Sequence, residues 1–164
     1  MQKRIKRARL PHLVTIDAFD FNFHKSRQKN RAKIMNLLDL EFIKEKKDII
    51  LLGNPGVGKS ILMECIALAA CRAKMNVSLT TVMDMVNILT AAKKDYTQGK
   101  SSTSIATRIF CADEFGYLSL DMQGADLLFQ VLSHRSGRSS TILTTNKPSR
   151  IGETFWPAPP SLQP

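Results

Sequence analysis

The residues whose types and spacing could do chemistry begin at position 53. Residues 53–60 read GNPGVGKS and fit the phosphate-loop pattern G-x-x-x-x-G-K-[ST]. Before the loop, Ile49, Ile50, Leu51 and Leu52 form an apolar run that reads as a short buried parallel strand. After it, residues 61–70 contain neither Gly nor Pro and read as a helix. Gly56 and Gly58 let the backbone curl so that successive N–H groups point inward at phosphate oxygens, and the helix N-terminus adds a partial positive charge. Lys59 supplies a full positive charge for β- and γ-phosphates, and the Ser60 hydroxyl can complete the shell of a Mg2+ ion. The candidate nucleotide-binding set is Gly53, Asn54, Pro55, Gly56, Val57, Gly58, Lys59, Ser60 and Ile61.

Two further stretches carry chemistry. Residues 108–114, RIFCADE, are an apolar run that ends in adjacent carboxylates. Ligands of a parallel α/β sheet gather at the carboxyl ends of its strands. There Asp113 would hold Mg2+, directly or through water, and Glu114 would orient and deprotonate an attacking water. Residues 140–146, STILTTN, are a β-prone run that ends at Asn146 before Lys147 and Pro148 break it. An Asn at that strand end can hydrogen-bond the γ-phosphate or the attacking water. The catalytic candidates are therefore Lys59, Glu114 and Asn146, and the metal candidates are Ser60 and Asp113.

The elements that must position these groups alternate. A strand is expected at 77–80 and a helix from Val82 to about Tyr96, on the stripe Val82, Met85, Val86 and Leu89. Residues 97–104 have loop composition. A second helix starts at Asp121, a suitable N-cap, and runs through Leu127, Leu128, Val131 and Leu132. Strands alternating with helices imply an α/β chain with a parallel sheet. Ahead of the loop, residues 26–42 read as one amphipathic helix with Ile34, Leu37, Leu38 and Phe42 on its apolar face. Phe19, Phe21 and Phe23 alternate with polar residues, which suggests a strand-like piece with three rings on one face. Packing onto the domain is favoured there over stacking on bases.

With 164 residues, 43% hydrophobic and 23% charged, the chain has the composition of a soluble globular domain. No apolar run approaches the length of a membrane span and no signal core follows the basic N-terminus, so the expected compartment is the cytoplasm. Cys65, Cys71 and Cys111 agree with it: they show no C-x-x-C spacing, His12, His24 and His134 are scattered, and the thiols are expected to be buried and free. The net charge is +10, of which residues 1–33 carry +8. Ten Lys and Arg residues lie there against Asp17 and Asp20 only. A basic arm on a nearly neutral body is the signature of salt-dependent binding to the phosphate backbone of double-stranded DNA.

Together, GNPGVGKS, CADEFGYLSL, LLFQVLSHR and STILTTN resemble the IstB-like transposition helper ATPases of bacterial insertion sequences, relatives of the DnaC helicase loaders within the AAA+ ATPases. The lead-in RARLPHLVTIDAFDF is similar as well, so the resemblance covers residues 3 to about 153. It implies an AAA+ P-loop three-layer sandwich with strand order 5-1-4-3-2. It also implies binding of ATP and Mg2+, ATP-dependent self-association on DNA, and a transposase as partner. The loader relatives keep open a replicative helicase as partner and a role in DNA replication. Lys59 and Ser60 then stand as Walker A, Asp113 and Glu114 as Walker B, and Asn146 as sensor 1.

The C-terminus departs from the family pattern. Residues 156–164, WPAPPSLQP, hold four prolines and suit neither a helix nor a central strand. The expectation is a basic arm and helix at 1–40, an ATP-binding core at 41–151 and a Pro-rich tail at 152–164, without the last strand and the lid. Such a chain would leave residues 49–52 as an apolar edge, and its ATP hydrolysis would be slow for want of an arginine finger, a group worth roughly three to five orders of magnitude in rate. A degenerate fragment without function of its own is the remaining alternative. Arg135, Arg138 and Arg150 are present, with no finger role assigned to any of them.

Overall fold

A computed structural model describes residues 2–94, 109–115 and 120–146. The stretch 97–104, Arg108, Arg150 and the tail at 152–164 lie outside them. In chain order the described elements are α1 (Gln2–Ala8), a 3-10 turn (Ile16–Ala18), α2 (Lys25–Lys29), α3 (Arg31–Leu37), α4 (Glu41–Lys44), β1 (Ile49–Leu52), α5 (Lys59–Arg72), β2 (Val77–Thr81), α6 (Val82–Lys94), β3 (Ile109–Phe115), α7 (Met122–Arg135) and β4 (Thr141–Thr145).

The four strands pair in parallel in the order β1-β4-β3-β2. This is the implied order 1-4-3-2, and it sets the carboxyl ends of β1, β4 and β3 side by side. Period-two alternation along β3 feeds two cores. Ile109 and Cys111 join the cluster with α5, which includes Met63, Ile66 and Ile142, whereas Phe110 and Ala112 join the α6 and α7 cluster with Met85, Leu89 and Leu128. Helices on both faces therefore make three layers. Asp121 caps α7 as its type suggests: Gly124 N–H donates to Asp121 Oδ1 at 2.8 Å, an arrangement worth about 1 kcal/mol.

The run at 49–52 is the apolar edge expected of a sheet without a further strand beside it: among the described strands β1 pairs with β4 alone, and Ile50 is 63% and Leu52 47% exposed, so the strand is not buried on both sides. Two other local expectations are corrected. Residues 26–42 form three short helices. Asn30 interrupts the first pair, its side-chain amide donating to the Ser26 carbonyl at 2.9 Å, and Leu40, just before α4, adopts a left-handed φ of 59° that turns the chain between α3 and α4 while burying its side chain. Finally, Phe19, Phe21 and Phe23 lie in turns. Phe19 is buried and meets Phe21 edge-on at 5.1 Å, while Phe23 stays exposed.

The N-terminal segment packs onto the body. Ala8, Phe19 and Ile34 are buried in the same cluster as Leu62, Met63 and Ile66 of α5. Most of its cations remain outside: Lys3, Lys6, Arg7, Arg9, Lys25, Lys29, Arg31 and Lys33 are exposed, whereas Arg4 is half-buried and Arg27 is buried.

Candidate nucleotide site

Local backbone chemistry builds the loop. Gly56 and Gly58 adopt left-handed φ values of 78° and 89°, the conformation that lets consecutive N–H groups face one concavity. Gly58 also caps α5, so the loop runs into the helix N-terminus. The start of the loop is tied to the neighbouring strand, since Gly53 N–H donates to the Thr145 carbonyl at 3.3 Å. Lys59 Nζ turns back over the loop and donates to the carbonyls of Gly53 and Asn54 at 2.8 and 2.9 Å. Burial lowers the Lys59 pKa from 10.5, and the negative charge of Asp113 works against that shift.

Across the cavity, Ser60 Oγ donates to Asp113 Oδ1 at 3.1 Å, so a hydroxyl of α5 and a carboxylate of β3 share one point. Glu114 follows on the exposed side with a left-handed φ of 64°. Asn146 lies just past β4, and its Oδ1 is buried with no hydrogen-bond partner among the described residues. A buried carbonyl oxygen left unsatisfied costs about 1–3 kcal/mol, which is the mark of a position that a ligand or water fills.

All the sequence candidates with side-chain chemistry come together. Lys59, Ser60, Asp113, Glu114 and Asn146 line one cavity of about 320 Å3 together with Pro55, Gly56, Gly58 and Ile61. Gly53, Asn54 and Val57 line a neighbouring groove of about 530 Å3 between β1 and the N-terminal helices, and Gly58 and Lys59 border both spaces. Among the described residues no group of three or more His, Cys, Asp or Glu gathers to hold a metal. A single carboxylate and a hydroxyl suit Mg2+, which keeps waters and takes the rest of its shell from phosphates.

Arg135 is ruled out as a finger for its own site. It is fully buried at the start of β4, the strand end opposite Asn146, where its guanidinium donates to Thr141 Oγ1 at 3.0 Å and to the Ser140 carbonyl at 2.5 Å. Arg138 lies 3.1 Å from His134 Nε2 on the surface.

Two residues escaped the sequence reading. Arg27, hidden in a charge run, has its guanidinium carbon 4.3 Å from the Phe19 ring centroid and 4.7 Å from that of Phe23. The alternating phenylalanines were the available signal, because aromatic faces attract a cation. Thr144 had none, since a Thr in a β-prone run is ordinary. Its hydroxyl proves to touch both Asp113 and Glu114.

The chain is similar to known proteins in sequence and in fold. An ATP-binding protein by name, from insertion sequence IS5376 of Geobacillus stearothermophilus, is 37% identical over 148 residues, covering 90% of this chain and 58% of its own. Its counterpart from IS21 of Pseudomonas aeruginosa is 33% identical over 148 residues, covering 90% and 55%. The chain thus spans a little over half the length of these relatives. Among solved structures, AMPPCP-bound DnaA from Aquifex aeolicus superposes with a TM-score of 0.72 at 15% identity, covering 85% of this chain and 44% of that one. The DnaC helicase loader gives 0.70 at 18%, covering 81% and 77%. These likenesses establish the AAA+ P-loop fold. A family model described as IstB-like ATP binding protein matches residues 1–155, and on that match the chain belongs to the IstB-like ATP-binding protein family.

Proposed function

We propose that the chain binds ATP with Mg2+ and serves an insertion-sequence transposase as an ATP-dependent helper on DNA. The observation that carries this reading is the convergence of Lys59, Ser60, Asp113, Glu114 and Asn146 on one cavity, with the buried Asn146 Oδ1 awaiting a partner. The insertion-sequence names of these relatives favour a transposase over a replicative helicase as partner.

Each residue then has a task. Loop N–H groups and the α5 N-terminus take the β- and γ-phosphates, for which Lys59 exchanges its two carbonyl partners. Ser60 and Asp113 hold Mg2+, which when bound offsets phosphate charge. The Asn146 amide orients the γ-phosphate or the water in line with it. Glu114 takes the proton of that water as its oxygen attacks the γ-phosphorus, and the bond from phosphorus to the bridging oxygen breaks to release ADP and phosphate. The groove beside β1 receives the base and sugar. The exposed cations of residues 2–33 meet double-stranded DNA, and copies of the chain associate when ATP is bound.

Calorimetric titration of ATP into the parent and Lys59→Ala tests the site. The substitution is expected to weaken binding at least about tenfold, the loss of one charge-assisted hydrogen bond or more. Equal affinity in the two proteins removes the assignment.

A further inference from the structure

In a regular strand, successive side chains point to opposite faces, which poses a problem for adjacent acids meant to act on one ligand. With Asp113 on the α5 face, against Ser60, an unbroken β3 would send Glu114 into the α6 and α7 layer. The chain solves this with a bulge. Ala112 pairs with Leu143 and Phe115 with Thr145, so Asp113 and Glu114 together stand opposite Thr144 alone. The side-chain phase confirms the shift: Ile109 and Cys111 pack with α5, yet Phe115, also odd-numbered, packs with α6 and α7. Glu114 absorbs the extra residue through its φ of 64°.

Thr144 is the residue that occupies the mouth of this bulge. It is 2% exposed. Its Oγ1 accepts the Glu114 N–H at 3.1 Å and donates to Asp113 Oδ1. Asp113 Oδ1 also accepts from Ser60 Oγ and Glu114 N–H at 3.1 and 3.0 Å. One hydroxyl therefore ties the backbone of one acid to the carboxylate of the other.

We propose that Thr144 is a positioning residue of the nucleotide site: its hydroxyl holds the β3 bulge closed so that Asp113 and Glu114 both face the phosphates. Thr144 borders the same cavity, but its hydroxyl is engaged by the two acids and acts through them. The inference rests on the ATP and Mg2+ reading above for the acids' task, whereas the hydrogen bonds themselves are independent of it.

The test compares the whole chain with Thr144→Val, which keeps the volume and loses the hydroxyl, and Thr144→Ser, which keeps the hydroxyl. A fluorescent ATP analogue is titrated in EDTA and in excess Mg2+. In EDTA the three affinities should agree within about twofold. Mg2+ should tighten binding by the parent and by Thr144→Ser, and Thr144→Val should lose about tenfold of that gain, the effect of one hydrogen bond to a charged group. A full Mg2+ gain in Thr144→Val, or its loss in Thr144→Ser, overturns the proposal.

Hydrogen exchange of the Glu114 amide without nucleotide is the second readout. It should speed up about tenfold in Thr144→Val alone, and unchanged protection overturns the proposal whether or not any nucleotide binds. A parent that binds ATP in neither buffer overturns the functional reading instead, leaving exchange to decide on Thr144. Thr144→Ala stands in should the valine variant not fold. If neither folds while Thr144→Ser does, the hydroxyl is a folding element and the positioning role is lost.

Discussion

Arg27 Nε donates to the Val57 carbonyl at 2.8 Å, so a side chain from the N-terminal segment grips the phosphate loop from behind. The same guanidinium donates through Nη1 to the Asp20 carbonyl at 2.8 Å and lies against the rings of Phe19 and Phe23. A Cβ on Gly58 would run into it, which gives that glycine a second reason besides its φ of 89°. Arg27→Leu should therefore loosen the loop and weaken ATP binding about tenfold, with Arg27→Lys failing to restore it, because an ammonium cannot replace a planar fork. Affinity left at the parent's value in Arg27→Leu would show that the loop holds its own shape.

At Glu114 stability and activity should part. A non-glycine residue in left-handed backbone costs about 1–2 kcal/mol, and Glu114 is exposed, so little packing is lost with its side chain. Glu114→Gly is expected to raise stability by up to about 1 kcal/mol after the glycine's own unfolded-state entropy is subtracted. It should also abolish ATP turnover, as should Glu114→Gln, with ATP still bound in both. Urea midpoints and phosphate release measure the two effects, and unchanged turnover in Glu114→Gln would discard the proposed base.

The thiols set a base-dependent loss of stability. Burial, helped by the Glu64 charge, pushes Cys65 up to about 11, and burial pushes Cys111 up to about 12, both from 9.0. Well below pH 9 the thiols are neutral in both states and contribute nothing that changes with pH. Above it the unfolded chain ionises while the folded chain does not, so stability falls as pH rises towards the folded values. Arg135, lowered by burial to about 10, acts in the opposite sense above that pH, so the effect is read between pH 9 and 10. The urea midpoint should drop over this interval and drop less in Cys111→Ala. An identical slope in that variant would remove Cys111 as the cause.

DNA binding by the exposed cations has its own signature. Deleting residues 1–33 would take away Phe19 and Arg27, and with them the hold on the loop, so charge is better tested by side-chain replacement. Serine at Lys25, Lys29 and Lys33 should weaken binding to duplexes of unrelated sequence alike. If all three meet phosphates, the salt slope should shrink by about three. A slope equal to the parent's would exclude this surface.

Sequence by itself determined the nucleotide loop, the two acids, Asn146 and the alternation of strands with helices. Each of these is written in consecutive residues or in a short hydrophobic period, and a strand end in a parallel sheet has a known side. Tertiary structure alone decided the rest. Whether Arg27 is a solvated charge or a buried clamp depends on two rings and a carbonyl 30 positions away. The facing of Glu114 depends on a register shift against β4, which no periodicity in β3 announces, since Asp-Glu reads the same in a straight strand and in a bulged one. Likewise the run from Ser26 to Phe42 has a helical stripe throughout, but burying Leu40 in left-handed backbone and capping at Asn30 cut it in pieces. Local pattern records which groups are available, and contacts between strands and segments distant in the chain set where they point.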